Sequence, residues 1–278
     1  MYTIYPILLN HKKYRDMKTI FITGASSGIG KATAKLFQAK GWKVIATMRT
    51  PENETELTAL ENVSILPLDV TNDAQIQSTA QSAIASGNID VVLNNAGHGL
   101  FGPLEAVSGE QILKQVNTNF LGPLKVIQAF IPYFREKKSG LFINTTSMAG
   151  LTGFPLSSVY NSTKWALEGL SECLSIELSM FGIGVKTVSP DATKTNLFSS
   201  ADVVAHPLYD DVIKKMIGRI QQTGEAINIA EVIFEAATDG KDQLRYPAGG
   251  AAKQIYARRL DIGPEASRIE TTKWFLGL

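Results

Sequence analysis

Thr19-Ile20-Phe21-Ile22-Thr23-Gly24-Ala25-Ser26-Ser27-Gly28-Ile29-Gly30-Lys31 is the stretch whose reading settles how this chain folds. A β-branched and aromatic run, residues 19–23, stops at a turn carrying three glycines. Residues 31–39 then show helical apolar spacing, closed by Gly41. Glycines at such a turn let the backbone approach a ligand closely. The following helix offers unpaired N–H groups and the positive end of its dipole, which suits a pyrophosphate. The spacing is G-x-x-x-G-x-G, not the G-x-G-x-x-G dinucleotide fingerprint. A mononucleotide P-loop ending on Gly30-Lys31 fails, because it needs Gly at 25 and Ser or Thr at 32, where Ala25 and Ala32 stand. A nucleophile elbow, G-x-S-x-G, does match Gly24-Ala25-Ser26-Ser27-Gly28. On that reading Ser26 attacks an ester, with His206 as base and Asp191 as its acidic partner. Against it, an elbow has several strands before it, and this turn follows the first. A glycine turn that binds nothing is the third reading.

Working outward, the alternation repeats. Strand-like runs at 43–47, 63–68, 90–93, 141–145 and 185–188, and a weaker one at 244–246, are separated by helical stretches at 73–86, 109–134 and 159–181. The first six runs, counting 19–23, are almost continuously apolar or β-branched, as strands covered on both faces are. The pattern predicts an α/β, doubly wound (Rossmann-type) parallel sheet with helices on both faces. No linker or repeat interrupts it, so residues 17–278 are expected to form one domain behind a mobile extension, 1–16, with Met17 as the natural start. The apolar run 4–9 is short, broken by Pro6 and followed by Lys12, Lys13 and Arg15, the reverse of a secretory signal. A weak membrane-surface anchor is its alternative role.

The 278 residues carry 27 Lys and Arg against 26 Asp and Glu, a net charge of +1, which leaves no electrostatic footprint for nucleic acid. Hydrophobic residues at 44% and charged residues at 19% indicate a substantial core rather than disorder. One cysteine excludes an internal disulfide, and with three histidines no metal site is expected. No apolar run reaches the ~20 residues of a membrane span. A cytoplasmic protein is the expectation.

Ligands of such sheets bind beyond the carboxyl ends of the strands. The second strand ends Ala46-Thr47-Met48-Arg49, without the acid that holds the ribose 2′-hydroxyl of NAD; Arg49 suits a 2′-phosphate and favours NADP over NAD. After the fifth strand come Ser147 and then Tyr160 and Lys164, four apart and so on one helix face. A phenol with an ordinary pKa near 10 is a poor acid at neutral pH, and a neighbouring ammonium favours its anion.

The glycine turn 23–30, Asp69-Val70, Asn94-Asn95-Ala96-Gly97, Asn119 before Gly122, Ser147 and Tyr160…Lys164 occur together and in this order. In this the chain resembles the short-chain dehydrogenase/reductase family over residues 18–188, and within it the branch of steroid and retinol dehydrogenases. The resemblance implies an NAD(P)-dependent oxidoreductase interconverting a carbonyl and an alcohol. Tyr160 would exchange the proton, Ser147 would hydrogen-bond the same oxygen, and Lys164 would hold the nicotinamide ribose and acidify the phenol. Asn119 would support a water beside Lys164, while Asn117 is a decoy at the wrong distance from Gly122. The cofactor set is then Gly24, Ser26, Ser27, Gly28, Ile29, Gly30, Arg49, Asp69, Val70, Asn94, Asn95, Ala96, Gly97, Tyr160, Lys164, Pro190, Thr193 and Thr195. Asp69 would meet the adenine amine, Val70 its ring, and Asn95 or Asn94 the adenosine ribose. Asp191 replaces the family's glycine and puts the conformation of that turn in question. His98 is a loop residue at the pocket mouth or a substrate contact.

Residues 195–225 correspond to the family's substrate flap, and Leu197, Phe198, Val203, Val204, Leu208, Met216 and Ile217 there suggest a hydrophobic substrate or simply an amphipathic helix. Residues 244–259 would close the far wall. The helices at 109–134 and 159–181 would pair with a second copy in a homodimer or homotetramer. A cofactor-binding sensor without turnover is the remaining alternative.

Overall fold

The computed structural model describes residues 17–195, 197, 199–219 and 224–277. The extension 1–16, Asn196, Phe198 and the side chains of Met216 and Ile217 lie outside the described residues. β1 (Thr19–Ile22) sits inside a seven-stranded sheet with β2 (Lys43–Met48), β3 (Val63–Pro67), β4 (Val91–Asn94), β5 (Gly140–Thr145), β6 (Ile183–Pro190) and β7 (Arg245–Ala248). Their order is β7-β6-β5-β4-β1-β2-β3, and every pairing is parallel. The chain winds outward from β1 to β3, returns to place β4 on the other side of β1, and winds outward again. That reversal opens a crevice at the carboxyl ends of β1 and β4.

Alternation along β1 decides which side chain meets which layer. Ile20 and Ile22 face α1 (Gly28–Ala39) and α7 (Ala226–Thr238), where Phe37, Ile229 and Ile233 complete one core. Phe21 faces the other way, onto α2 (Asp73–Ala85) and α4 (Gly122–Lys137), with its ring 4.9 Å from that of Phe130. β3 departs from the expected continuous burial: it is the edge strand, and Ser64 and Pro67 are exposed. The weak last run is a strand, and β6 extends two residues beyond each end of its expected run, with Lys186 inside it buried against Asp239 and Tyr246.

The expected helix over 109–134 is two helices. α3 (Gly109–Val116) opens on a reciprocal cap between Ser108 and Gln111, and a wide π-type turn, Asn117–Leu121, separates it from α4. Such a turn rotates the helix face, so Asn119 is buried while Asn117 is exposed. α5 (Ser158–Glu177) ends before the short turn Ser179–Phe181, earlier than the expected 181. Beyond β6, Thr193–Lys194 pairs with Gly224–Glu225, so the excursion between them closes at its base. Within it Asp202–Val203 pairs with Leu100–Phe101 and precedes α6 (Asp210–Arg219). α7 was not foreseen. The region 244–259 resolves into β7 and α8 (Gly250–Ile262), followed by α9 (Pro264–Leu276).

Candidate active site

A cavity of about 720 Å³ occupies the crevice, within the size range of ligand pockets. The glycine turn forms its floor. Gly24 has φ +68, and a Cβ there would lie 2.7 Å from the Ala96 Cα; Gly28 has φ +53 and faces Thr195 across the turn. α1 starts at Gly28, three residues before the expected 31, with Ser27 as an N-cap whose side chain makes no capping bond and no acid in the first turn. Its first N–H groups therefore lack intrahelical or side-chain acceptors. Thr23 Oγ1 takes the amides of Asn95 and Ala96, and the Asn95 carboxamide donates to the carbonyls of Thr23 and Gly24. These bonds lock the loop after β4 onto the turn after β1.

All the catalytic and cofactor-binding residues that the resemblance implies line this cavity except Gly30 and Asn94. Gly30 lies beneath it: a Cβ would stand 2.2 Å from the Gly24 carbonyl oxygen and 2.6 Å from Asn95 Nδ2. It is there for close packing, not contact with a ligand. Asn94 points into the sheet, donating to Asn144 Oδ1 at 2.9 Å, and Asn144 in turn donates to Ser171. Asn95 therefore faces the cavity, and Asn94 is a buried sheet residue. Arg49 is exposed at the cavity and has no hydrogen-bond or ion-pair partner among the described residues. Asp69 Oδ1 accepts from the amide and hydroxyl of Thr71 at 2.9 and 2.7 Å, leaving Oδ2 free among the described residues.

At the other end α5 brings Tyr160 and Lys164 onto one face, both buried, and the turn after β5 brings Ser147 beside the phenol. The Lys164 ammonium lies 5.8 Å from the Tyr160 ring centre and donates to the Thr145 carbonyl at 2.9 Å. Burial pushes the Tyr160 phenol up, and the Ser147 hydrogen bond draws it back down without cancelling the rise. Burial also brings Lys164 down to about 8, with Glu168 opposing that fall.

Asn119 is buried against the loop after β4. Its Oδ1 accepts from the His98 amide at 2.8 Å and its Nδ2 donates to the His98 carbonyl at 2.9 Å, joined there by Gln115. Its carboxamide holds the loop after β4. His98 turns its ring to Asp202, 2.9 Å away, which also takes Lys114 at 2.9 Å. Asp191 is not in a left-handed conformation, so the turn does not require the family's glycine.

Sequence reasoning missed Glu168, one helical turn past Lys164. It is buried and accepts from Thr146, Thr187, Ser189 and Arg245 at 2.6–3.1 Å. The four-residue spacing from Lys164 was the available signal. At the apolar end of the cavity the expected segment 244–259 supplies Ile255, while Phe101, whose ring is 5.6 Å from Tyr160, and Phe154, Trp274 and Phe275 were missed. The hydrolase triad does not assemble. His206 is not among the cavity's residues; its Nδ1 accepts from the Leu208 amide, and the Asp191 carboxylate is turned to α8.

The short chain dehydrogenase family model matches residues 18–203. An uncharacterized oxidoreductase of Schizosaccharomyces pombe is 38% identical over 241 residues, 83% of this chain and all of the relative. The 17-beta-hydroxysteroid dehydrogenase type 1 of Mus musculus is 31% identical over 253 residues, covering 83% of this chain and 73% of the relative. Among solved structures, ElxO with NADP bound superposes with a TM-score of 0.73 at 28% identity, covering 86% of this chain and 99% of that one. With the parallel sheet, the glycine turn and the Ser147–Tyr160–Lys164 group on one cavity, this chain belongs to the short-chain dehydrogenase family and is an NAD(P)-dependent oxidoreductase.

Proposed function

We propose that the protein interconverts a hydrophobic ketone or aldehyde and its alcohol with NADP as preferred cofactor and NAD as the alternative. The observation that carries this reading is the convergence of Tyr160, Ser147 and Lys164 on one cavity with an uncapped helix N-terminus at its other end. The residues present fit the dinucleotide. The first turn of α1 and the Ser26 and Ser27 hydroxyls suit the pyrophosphate, Asp69 and Val70 the adenine, Asn95 the adenosine ribose, and unpaired Arg49 a 2′-phosphate. Ala96 and Gly97 and, across the cavity, Pro190, Thr193 and Thr195 would border the nicotinamide half. When bound, the cofactor supplies or accepts the hydride.

The protein's own groups handle the proton. The Tyr160 hydroxyl, held neutral by burial, is a proton donor toward a carbonyl oxygen, and Ser147 donates a second hydrogen bond to that oxygen as negative charge develops. Lys164 orients the ribose and lends positive charge to the phenolate left behind. Support for a water beside Lys164 by Asn119 belongs to this proposal. The aromatic wall supports a hydrophobic substrate, and the mouse steroid dehydrogenase is a relative consistent with it. Trp165 and Ile176, exposed at 42% and 72% on one face of α5, support pairing with a second copy. Light scattering should then report a dimer or tetramer that Ile176→Glu reduces to a monomer. Cytoplasmic residence is part of the proposal and rests on the single cysteine.

The test is NADPH oxidation on a panel of carbonyl compounds. Turnover should fall by about a thousandfold in Tyr160→Phe, with NADPH affinity kept within a few-fold. Tight NADPH binding without turnover across the panel would establish a sensor instead.

A further inference from the structure

Where the family pattern has glycine, this chain has Asp191, and glycines stand where its side chain goes. The Asp191 Oδ2 accepts the Ala251 N–H at 3.2 Å, and the Asp191 N–H donates to the Ala248 carbonyl at 2.9 Å. The loop after β6 is thereby tied to the end of β7 and the first turn of α8. α8 has no cap of its own: its N-cap is Gly249, and its first turn carries no acid. A Cβ on Gly249, which has φ +98, would lie 2.0 to 2.4 Å from the Asp191 carboxylate atoms. One on Gly224, at the base of the flap, would lie 3.2 Å from Oδ1. The carboxylate thus fills a space left by two glycines from two other segments. Its Oδ1 is buried without a partner among the described residues, an arrangement that costs free energy and persists only where something else holds it.

What α8 carries makes this matter. Ala251 and Ile255 of α8, with Trp274 and Phe275 of α9, line the cavity, while Pro190 and Thr193 near Asp191 border it from the loop. We propose that Asp191 is a positioning residue that sets substrate specificity: capping α8 from the loop after β6, it fixes the α8–α9 wall and so the room left for the substrate. This rests on the oxidoreductase reading above. The acid supplies what a helix start lacks, an acceptor for an amide and negative charge at the positive end of the dipole. A glycine at 191 supplies neither.

The experiment compares wild type, Asp191→Ala and Asp191→Asn. Hydrogen exchange should quicken about fivefold at the first-turn amides of α8 in Asp191→Ala, the loss of one cap, and return to within twofold of wild type in Asp191→Asn, which can still accept. With NADPH, the ratio of kcat/KM for bulky phenanthrenequinone to that for small butane-2,3-dione should shift about tenfold in Asp191→Ala, mainly through KM, and recover in Asp191→Asn. Unaltered exchange at α8 overturns the cap, and an unaltered ratio overturns the specificity role. Wild type that neither binds NADPH nor reduces either compound defeats the oxidoreductase reading. The specificity role then falls with it, and α8 exchange still decides the cap.

Discussion

On the dinucleotide side of the cavity a single methyl group has no room: a Cβ on Gly30 would stand 2.2 Å from a backbone oxygen. On the substrate side the flap is held by a two-residue ladder and by Asp202, which reaches Lys114 and the His98 ring. One side is fixed by backbone against backbone, with steric tolerance near zero. The other adds to its short backbone ladder side-chain contacts that can be removed one at a time. The contrast suits a site that must present one cofactor geometry while its substrate end can diverge. It also ranks the effects of mutation. Gly30→Ala should be the most damaging, because the obstacle is the Gly24 carbonyl and not a flexible side chain. Forced overpacking of this kind costs roughly 1–3 kcal/mol. NADPH affinity by titration calorimetry should weaken by about thirtyfold, with a lower thermal midpoint; an unchanged dissociation constant would break the contrast.

On the substrate side the effect should be smaller and confined. Asp202→Asn removes the charge facing Lys114 and His98, so KM for the carbonyl should rise about fivefold while NADPH affinity moves less than twofold. The pH dependence follows from Asp202, whose carboxyl is held below its ordinary range by the Lys114 hydrogen bond first and the His98 hydrogen bond second. A depressed acid contributes stability above its unfolded pKa, near 4, and loses it as pH falls through the lower folded value. Wild-type KM should therefore stay flat on this account from pH 5 to 8. A steep rise in KM within that window would show that a different group holds the flap.

The same contrast explains what could be read in advance. The sheet, its winding and the cofactor turn were legible because each strand is a short apolar run ending in residues with one geometric task. Thr23, Gly24 and Asn95 each stand just past the carboxyl end of a strand, where ligands of such sheets bind. Gly30 and Asn94 lie off the cavity lining, which proximity in sequence does not reveal; one packs under the turn and the other lies inside the sheet. The π-type turn at Asn117–Leu121 was invisible, since apolar periodicity continues across it. The substrate wall escaped for another reason. Phe154 and Phe275 meet edge to face at 5.9 Å from segments more than a hundred residues apart, and no local pattern encodes that meeting.

Glu168 sits between the two regimes, a buried side chain that acts through charge. Its carboxylate faces Arg245, with Glu172 beyond it, and on α5 it lies one turn from Lys164, whose charge it favours. Glu168→Gln keeps acceptor capacity for Thr146 and Ser189 but removes the negative charge. Lys164, already brought to about 8 by burial, should then lose its proton at still lower pH. A lysine with a folded pKa below its unfolded value is disfavoured as the cation, and removing its counter-charge deepens that penalty. The alkaline limb of the kcat/KM profile for carbonyl reduction should accordingly move down by about half to one pH unit. The plateau below it should fall only modestly, because the proton donor Tyr160 is untouched. If the limb stays in place while activity drops at every pH, Glu168 serves only to pack the strand ends, and the electrostatic link between it and Lys164 is refuted.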